Sequence, residues 1–296
     1  MRSCFQMACL LLVGGAVPGC TTPSGEERPK TLLQWQPGPE HKKPEAEEGT
    51  TEKKEEPLAS DRPDFTEASS TVGRDRVQLE GGYTYIQDRN GGFTTRSHSY
   101  PEALLRIGMI ADWFEFRIAQ NFGNIRSDSP DGVFSAGGSD DLYVGAKLYV
   151  AEQRGVLPET SFVIQAQVPT GHSSFTSNRV LPGFNLLYGW EVTSKLTVAG
   201  SSQANRAIDD DDHGYVEMAQ SLTAGYSITE KLGFYSEWFA FLPAGATSPG
   251  VTAQHYADGG FTYKFTPNFQ VDIRGGIGLS RNADDFFAGT GFAVRY

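Results

Sequence analysis

Twelve segments of this chain alternate apolar and polar residues with a period of two: 77–86, 102–110, 114–122, 141–150, 160–168, 183–192, 196–205, 215–226, 232–242, 256–265, 269–279 and 286–296. Such alternation places successive side chains on opposite faces of a β-strand. Each segment is close to the ~9–11 residues that a tilted strand needs to cross a bilayer. The connections alternate too. Short ones, at 110–113, 192–195, 228–231 and 266–268, with a somewhat longer 151–159, are separated by long polar loops such as 124–140, 169–180 and 207–215. An even number of strands with short turns at one end and long loops at the other predicts an all-β fold: an antiparallel up-and-down transmembrane β-barrel of about 12 strands. The segments "TSKLTV", "TEKLGFYSE" and "TPNFQVDIR" each open just after a short turn, as hairpin repetition requires.

A soluble double sheet alternates in the same way and is the competing fold. The chain end decides between them. Phe286, Ala288, Thr290, Phe292, Val294 and Tyr296 share one face of the last segment, continuing an aromatic row to the final residue. The ends of soluble domains are usually frayed and short of such groups. Lipid is the solvent that suits this face, and closing the last strand on the first removes exposed sheet edges. A mean hydropathy of −0.37 is no objection, since alternating strands average out to mild hydrophilicity.

The net charge of −11 leaves no basic stripe to neutralise phosphates, which argues against nucleic acid as a partner. All three cysteines, Cys4, Cys9 and Cys20, fall in the first twenty residues, so the body has no disulfide framework. Residues 1–20 read as a secretory signal, with Arg2, an apolar run and small residues before Cys20. "VPGC" is similar to a lipoprotein box with Pro18 out of pattern, so lipidation of Cys20 and ordinary cleavage nearby both stay open. Residues 21–60, rich in Pro, Glu, Lys and Thr, read as a disordered linker, with Leu32, Leu33 and Trp35 its sole apolar cluster. Residues 61–76 form a periplasmic pre-barrel segment or plug, and 77–296 the barrel.

With the aromatic rows towards lipid, strand parity puts Glu80, Glu102, Arg106, Glu115, Arg117, Lys147, Glu191, Glu217, Glu237, Asp258, Lys264, Asp272, Arg274 and Arg295 on the lumen side. Charges of both signs in one enclosure will pair, and they either rigidify the barrel or line a narrow aqueous path. Inward glycines, including Gly82, Gly108, Gly145, Gly189, Gly233, Gly260, Gly276 and Gly278, are expected to keep cross-section free for a pore. Asp61, Arg62, Asp64 and Phe65 of "DRPDFTE" are plug candidates: the charges would meet lumen partners and Phe65 would act as a stopper. By the same parity Glu115→Gln should leave the fold mostly intact, whereas Phe116→Arg should damage it.

No metal site and no cofactor is expected. "DDDDH" (209–213) lacks the spacing of a calcium loop, and a run of like charge is usually solvated. His98 and His172 have serine neighbours, but no G-x-S-x-G or H-E-x-x-H pattern occurs, so no enzyme activity is expected.

Residues 61–85, 104–118, 255–279 and the closing "ADDFFAGTGFAVRY" carry a resemblance to the bacterial outer-membrane family labelled "putative MetA-pathway of phenol degradation", often called simply transporter. The resemblance spans about residues 61–296. It implies an outer-membrane location and uptake of aromatic or hydrophobic compounds. A channel for small solutes is the leading functional expectation. The alternative is a structural or surface-display barrel with a closed lumen and partner-binding loops. Expected partners are membrane lipid, a small-molecule solute and the outer-membrane assembly machinery through the C-terminal strand; a monomer is expected.

Overall fold

The structure, a computed structural model, describes residues 30–34, 57–209 and 211–296. Cys20, Trp35 and most of the proposed signal and linker lie outside the described residues. Thirteen strands follow one another: β1 (Val77–Asn90), β2 (Phe93–Gly108), β3 (Phe114–Ser129), β4 (Gly132–Ser139), β5 (Leu142–Ala151), β6 (Glu159–Val168), β7 (Leu181–Glu191), β8 (Leu196–Ile208), β9 (Gly214–Ser227), β10 (Leu232–Ala244), β11 (Gln254–Thr266), β12 (Phe269–Gly278) and β13 (Phe286–Arg295). Each pairs antiparallel with its sequence neighbour, except that β3 pairs with both β4 and β5. β13 returns to β1, with Gly82 opposite Gly291, so the sheet closes. The soluble double sheet is thereby excluded.

β4 and β5 share one place in the wall. β4 pairs with the outer half of β3 (Phe122–Ser129) and β5 with the inner half (Phe114–Ala119). The barrel therefore has twelve staves, one of them broken at Asp140 and Asp141. Two corrections to the sequence reading follow. Residues 124–140 are not a long loop but a hairpin extending the wall, because the short "SPDG" turn lets polar residues pair beyond the membrane belt. β2 begins at Phe93, nine residues earlier than read, since Pro101 interrupts the pattern at a bulge between Tyr100 and Ala103. The buried carboxamide of Asn121 ties both irregularities together, donating to Ser99 Oγ (2.9 Å) and Asp140 Oδ2 (2.8 Å) and accepting from the Glu102 amide (3.2 Å).

The two faces of the wall differ as the alternation requires. Leu79, Tyr83, Phe122, Ile164, Phe184, Leu222, Trp238, Phe261, Ile273 and Phe292 point outward and are exposed. A continuous apolar surface of this extent is unsuited to water and suits lipid. This is an outer-membrane β-barrel, and its short-turn end faces the periplasm. Tyr296 closes it: its amide donates to Val77 O (2.8 Å), and the Val77 amide donates back (3.1 Å).

Candidate functional site

The enclosed interior is occupied by the chain itself. Residues 57–76 enter at the periplasmic end, where the Leu58 amide donates to Pro267 O (2.7 Å) in the β11–β12 turn. They leave at the same end, where the Asp75 amide donates to Gly108 O (3.1 Å). Between these points the segment rises into the lumen, and Ser60–Ser69 are buried throughout. Arg62, Asp61 and Glu67 are poor candidates for burial on their own, so their partners decide whether the arrangement is tenable.

Those partners come from strand after strand. The Asp61 carboxylate faces three cations: Lys147 Nζ at 3.0 Å, Arg117 Nη2 at 2.5 Å and Arg106 Nη1 at 3.3 Å. Arg106 also pairs with Glu115 (2.8 Å) and Glu80 (3.0 Å), and Arg117 with Glu67. Glu80 in turn accepts from Ser60 Oγ (2.9 Å) and the Asp61 amide (3.1 Å). Lys147 donates to Ala68 O (2.7 Å) and Asn185 Nδ2 to Glu67 (3.2 Å). Charges fully removed from water demand this density of pairing and hydrogen bonding. None of these groups is spare: each neutralises another.

Arg62 reaches the adjoining stretch of wall, β2, β1, β13 and β12. Its guanidinium pairs with Glu102 (2.7 Å) and Asp272 (3.3 Å). It lies directly over the Gly82–Gly291 pair of β1 and β13. A Cβ on Gly82 would fall 2.5 Å from Cζ of Arg62, and one on Gly291 2.2 Å from its Nε. Glycine is required here by close approach. The expectation that inward glycines leave room for a pore is therefore corrected at several positions. The space at Gly82 is taken by Arg62, at Gly108 by the Gly73 carbonyl and at Gly276 by the Phe287 ring.

A second group of contacts lies at the apex. The amides of Phe65 and Thr66 both donate to the Glu237 carboxylate, Thr66 at 2.8 Å, and Thr66 Oγ1 sits 2.6 Å from Ser221 Oγ. Arg274 donates to Pro63 O (2.9 Å) and Thr84 Oγ1 (2.8 Å). The Phe65 ring stacks on Phe239 (centroids 4.7 Å apart, 8° between planes) and meets Phe241 edge-on at 5.4 Å. Tyr256 stacks on the same Phe239 ring at 4.9 Å, with Phe287 beside both.

Of the residues placed inside by parity, nine bond residues 57–76 directly: Glu80, Glu102, Arg106, Glu115, Arg117, Lys147, Glu237, Asp272 and Arg274. Asp258 accepts from Tyr235 (2.8 Å) and Glu217 from Tyr215 (3.3 Å), both from inside the wall. Lys264 is half-buried at the periplasmic end, and Arg295 there donates to Asn268 Oδ1 (2.8 Å). Glu191 is corrected. It keeps the inward parity but ends its strand at the rim, exposed below the filled interior. Asp61, Arg62, Asp64 and Phe65 all lie buried in the lumen.

Sequence reasoning missed the aromatic group. The parity that turns Glu237 inward also turns Phe239 and Phe241 inward, and that of Asp258 does the same for Tyr256. The signal lies in the alternation itself, where charge is the more conspicuous inward feature. Among the described residues Asp209, Asp211 and His213 form the one group with the proximity of metal ligands. Asp209 is already committed. Its two oxygens accept from the amides of Asp211 (3.1 Å), His213 (2.9 Å), Thr247 (3.0 Å) and Ser248 (3.3 Å). Burial alone would raise its pKa, but these N–H groups hold the carboxyl well below the ordinary range. It is a clamp between two loops.

No curated protein matches this chain. Among solved structures it is similar to the COG4313 outer membrane channel from Pseudomonas putida F1, with 13% identity over 77% of this chain and 98% of that one, and a TM-score of 0.62. It is also similar to the translocator domain of the autotransporter NalP from Neisseria meningitidis, with 13% identity, 75% and 88% coverage and a TM-score of 0.46. The first likeness shows the fold. A family model described as "Putative MetA-pathway of phenol degradation" matches residues 60–296, taking in both the barrel and the segment inside it. The chain belongs to that family.

Proposed function

We propose that this protein is an outer-membrane channel for small solutes, and that residues 57–76 are a displaceable plug that closes its path in the conformation described. The observation that carries this reading is the form of the closure. A filled barrel needs only side chains from its own wall, as eight-stranded barrels demonstrate. Here twelve staves enclose a wider interior, and it is filled by a hairpin-like segment that enters and leaves at one end. Such a segment withdraws without unravelling any strand pairing. Family membership supports small, aromatic or hydrophobic compounds as the solutes, and the lipid-facing last strand supports recognition by the assembly machinery. The monomeric barrel has no enzymatic role in this reading.

The closed lumen also suits the surface-display alternative, and conductance separates the two. Planar-bilayer recordings of the full chain should show rare, brief openings. Removal of residues 57–70 should give a steady conductance in a barrel that still shows heat-modifiable migration on gels. A folded barrel that stays silent without residues 57–70, and passes no solute in liposomes, would sink the channel reading.

A further inference from the structure

The apex of the plug and its wall partners form two rungs. In one, Glu237 of β10 lies directly opposite Asp258 of β11; in the next, Phe239 lies opposite Tyr256. Phe65 spans both, its amide on Glu237 and its ring stacked on Phe239. The seat is built by the wall without help from the plug. Phe239 and Tyr256 stack on each other, Phe241 stands edge-on to Phe239, and Phe287 occupies the space that Gly276 leaves by lacking a Cβ. All are almost wholly buried. Offset and edge-on ring contacts of this kind favour a planar aromatic guest over an aliphatic one.

The surroundings narrow the chemistry further. Glu237 accepts both apex amides and the Thr66 hydroxyl, so a guest must bring a hydrogen-bond donor or leave a buried carboxylate unserved. With Asp258 opposite Glu237, an anionic guest would add a third carboxylate to a buried acidic pair, and the nearby Arg274, 5.7 Å from the Phe287 ring centroid, is already engaged by Pro63 O and Thr84 Oγ1. The β12–β13 loop meets the seat, where Ala283 packs on the cluster and the Asp284 amide donates to Tyr256 Oη (3.2 Å).

We propose that Phe65 is a built-in surrogate for a ligand: the seat formed by Phe239, Phe241, Tyr256 and Phe287, with Glu237 at its edge, binds a neutral aromatic compound of one or two rings bearing an N–H or O–H donor, and that compound binds in competition with the plug. The inference rests on the reading of residues 57–76 as displaceable. It adds which contact a solute replaces and which ring compounds are refused. The Phe65 contact is lost to a ring that offers the same stacking and the same donor. The ionic contacts of Asp61 and Arg62 have no counterpart in such a guest, so displacement begins at the apex.

The test uses the full chain folded in detergent micelles and reads hydrogen exchange of the amides of residues 61–68. Millimolar indole is expected to raise their exchange at least tenfold in the wild-type protein, and benzoate at the same concentration to leave it unchanged. Phe65→Ala, which vacates the seat, should bind indole at least tenfold more tightly by calorimetry, and adding Phe239→Ala should abolish that gain. The proposal is overturned if folded Phe65→Ala does not bind indole, if it binds indole while the wild-type plug is unaffected, or if benzoate acts as indole does. A barrel that never conducts while indole still exposes the plug would remove the channel reading and leave the seat standing.

Discussion

The lumen has two sides that hold the same segment by different physics. Towards β1–β5 the plug is bound by ions: Asp61 among Lys147, Arg117 and Arg106, with Glu80, Glu115 and Glu67 closing the network. Towards β9–β13 its apex is bound by stacked rings and by amides on one carboxylate, and the ionic contact there is the single Arg62–Asp272 pair (3.3 Å). Buried ion pairs tolerate no missing member, because the loss of one leaves the rest uncompensated. Ring contacts are interchangeable among groups of similar shape. One side fixes where the segment sits; the other is where something else can take its place.

The sharpest way to break this contrast is to delete the central anion. Asp61→Ala takes one partner from each of three cations and should cost about 3–5 kcal/mol of docking, a typical loss for one partner of a buried ion pair. Urea titration followed by exchange of the amides of residues 60–69 would show the segment released well before the barrel unfolds. Equal loss of plug and wall would mean that the two are one cooperative unit.

A second effect concerns the wall. Phe116 faces lipid, and Phe116→Arg should cost about 2–4 kcal/mol near the membrane mid-plane, measured by urea-dependent folding into vesicles. The structure sharpens the expectation for its neighbour. Glu115 is fully buried, bonds Arg106 through both oxygens (2.8 and 2.9 Å) and accepts from the Val72 amide (2.9 Å). Glu115→Gln should therefore loosen the plug, while barrel folding is retained as the alternation alone predicts. If Phe116→Arg folds as well as wild type, the apolar face is not in lipid.

A smaller effect sharpens the glycine cradle. Gly291→Ala puts a methyl group into the space of the Arg62 guanidinium. Arg62 must shift away from Asp272, and openings in planar bilayers should become several-fold more frequent with folding unchanged. The same substitution at Gly275, whose nearest neighbour would be an ordinary 3.7 Å contact, should do nothing.

A further effect, set by pH, lies in the loop over the aromatic seat. Burial, with Asp88 and Asp285 nearby, raises the pKa of Asp284 from 3.8 to about 7. A carboxyl that holds its proton more tightly when folded opposes folding as it ionises, so stability is lost as pH rises from about 4 to about 7. Asp284→Asn should be neutral at pH 4 and stabilising above pH 7, read as a shift in thermal midpoint across that range.

Much of this was legible in the sequence, for a reason that also marks the limit. Period-two alternation reports which way a side chain points, so Glu80, Arg106 and Asp272 could be placed inside. The composition of "DRPDFTE" pointed to partners within a barrel. Alternation does not say what fills the interior. Gly82 and Gly291 look like open space until the distant Arg62 is known to lie over them. The broken stave at Asp140 and Asp141 was hidden because a hairpin of small polar residues, "SPDGVFSAGGS", has the composition of a loop. Phe239 and Phe241 are hidden by residue type, since rings suit lipid and only strand parity turns these two to the lumen.

The measurement that bears most directly on the plug is solute flux through a barrel whose segment can be locked. Thr66 and Ser221 touch through their hydroxyls (2.6 Å), so Thr66→Cys with Ser221→Cys, in a Cys20→Ser background, places two thiols in reach across the lumen. Oxidised, the barrel should pass no small solute in liposomes; reduced, it should regain the flux of the wild-type protein. Equal flux in both states would show that solutes pass without displacing the segment, and would contradict the account.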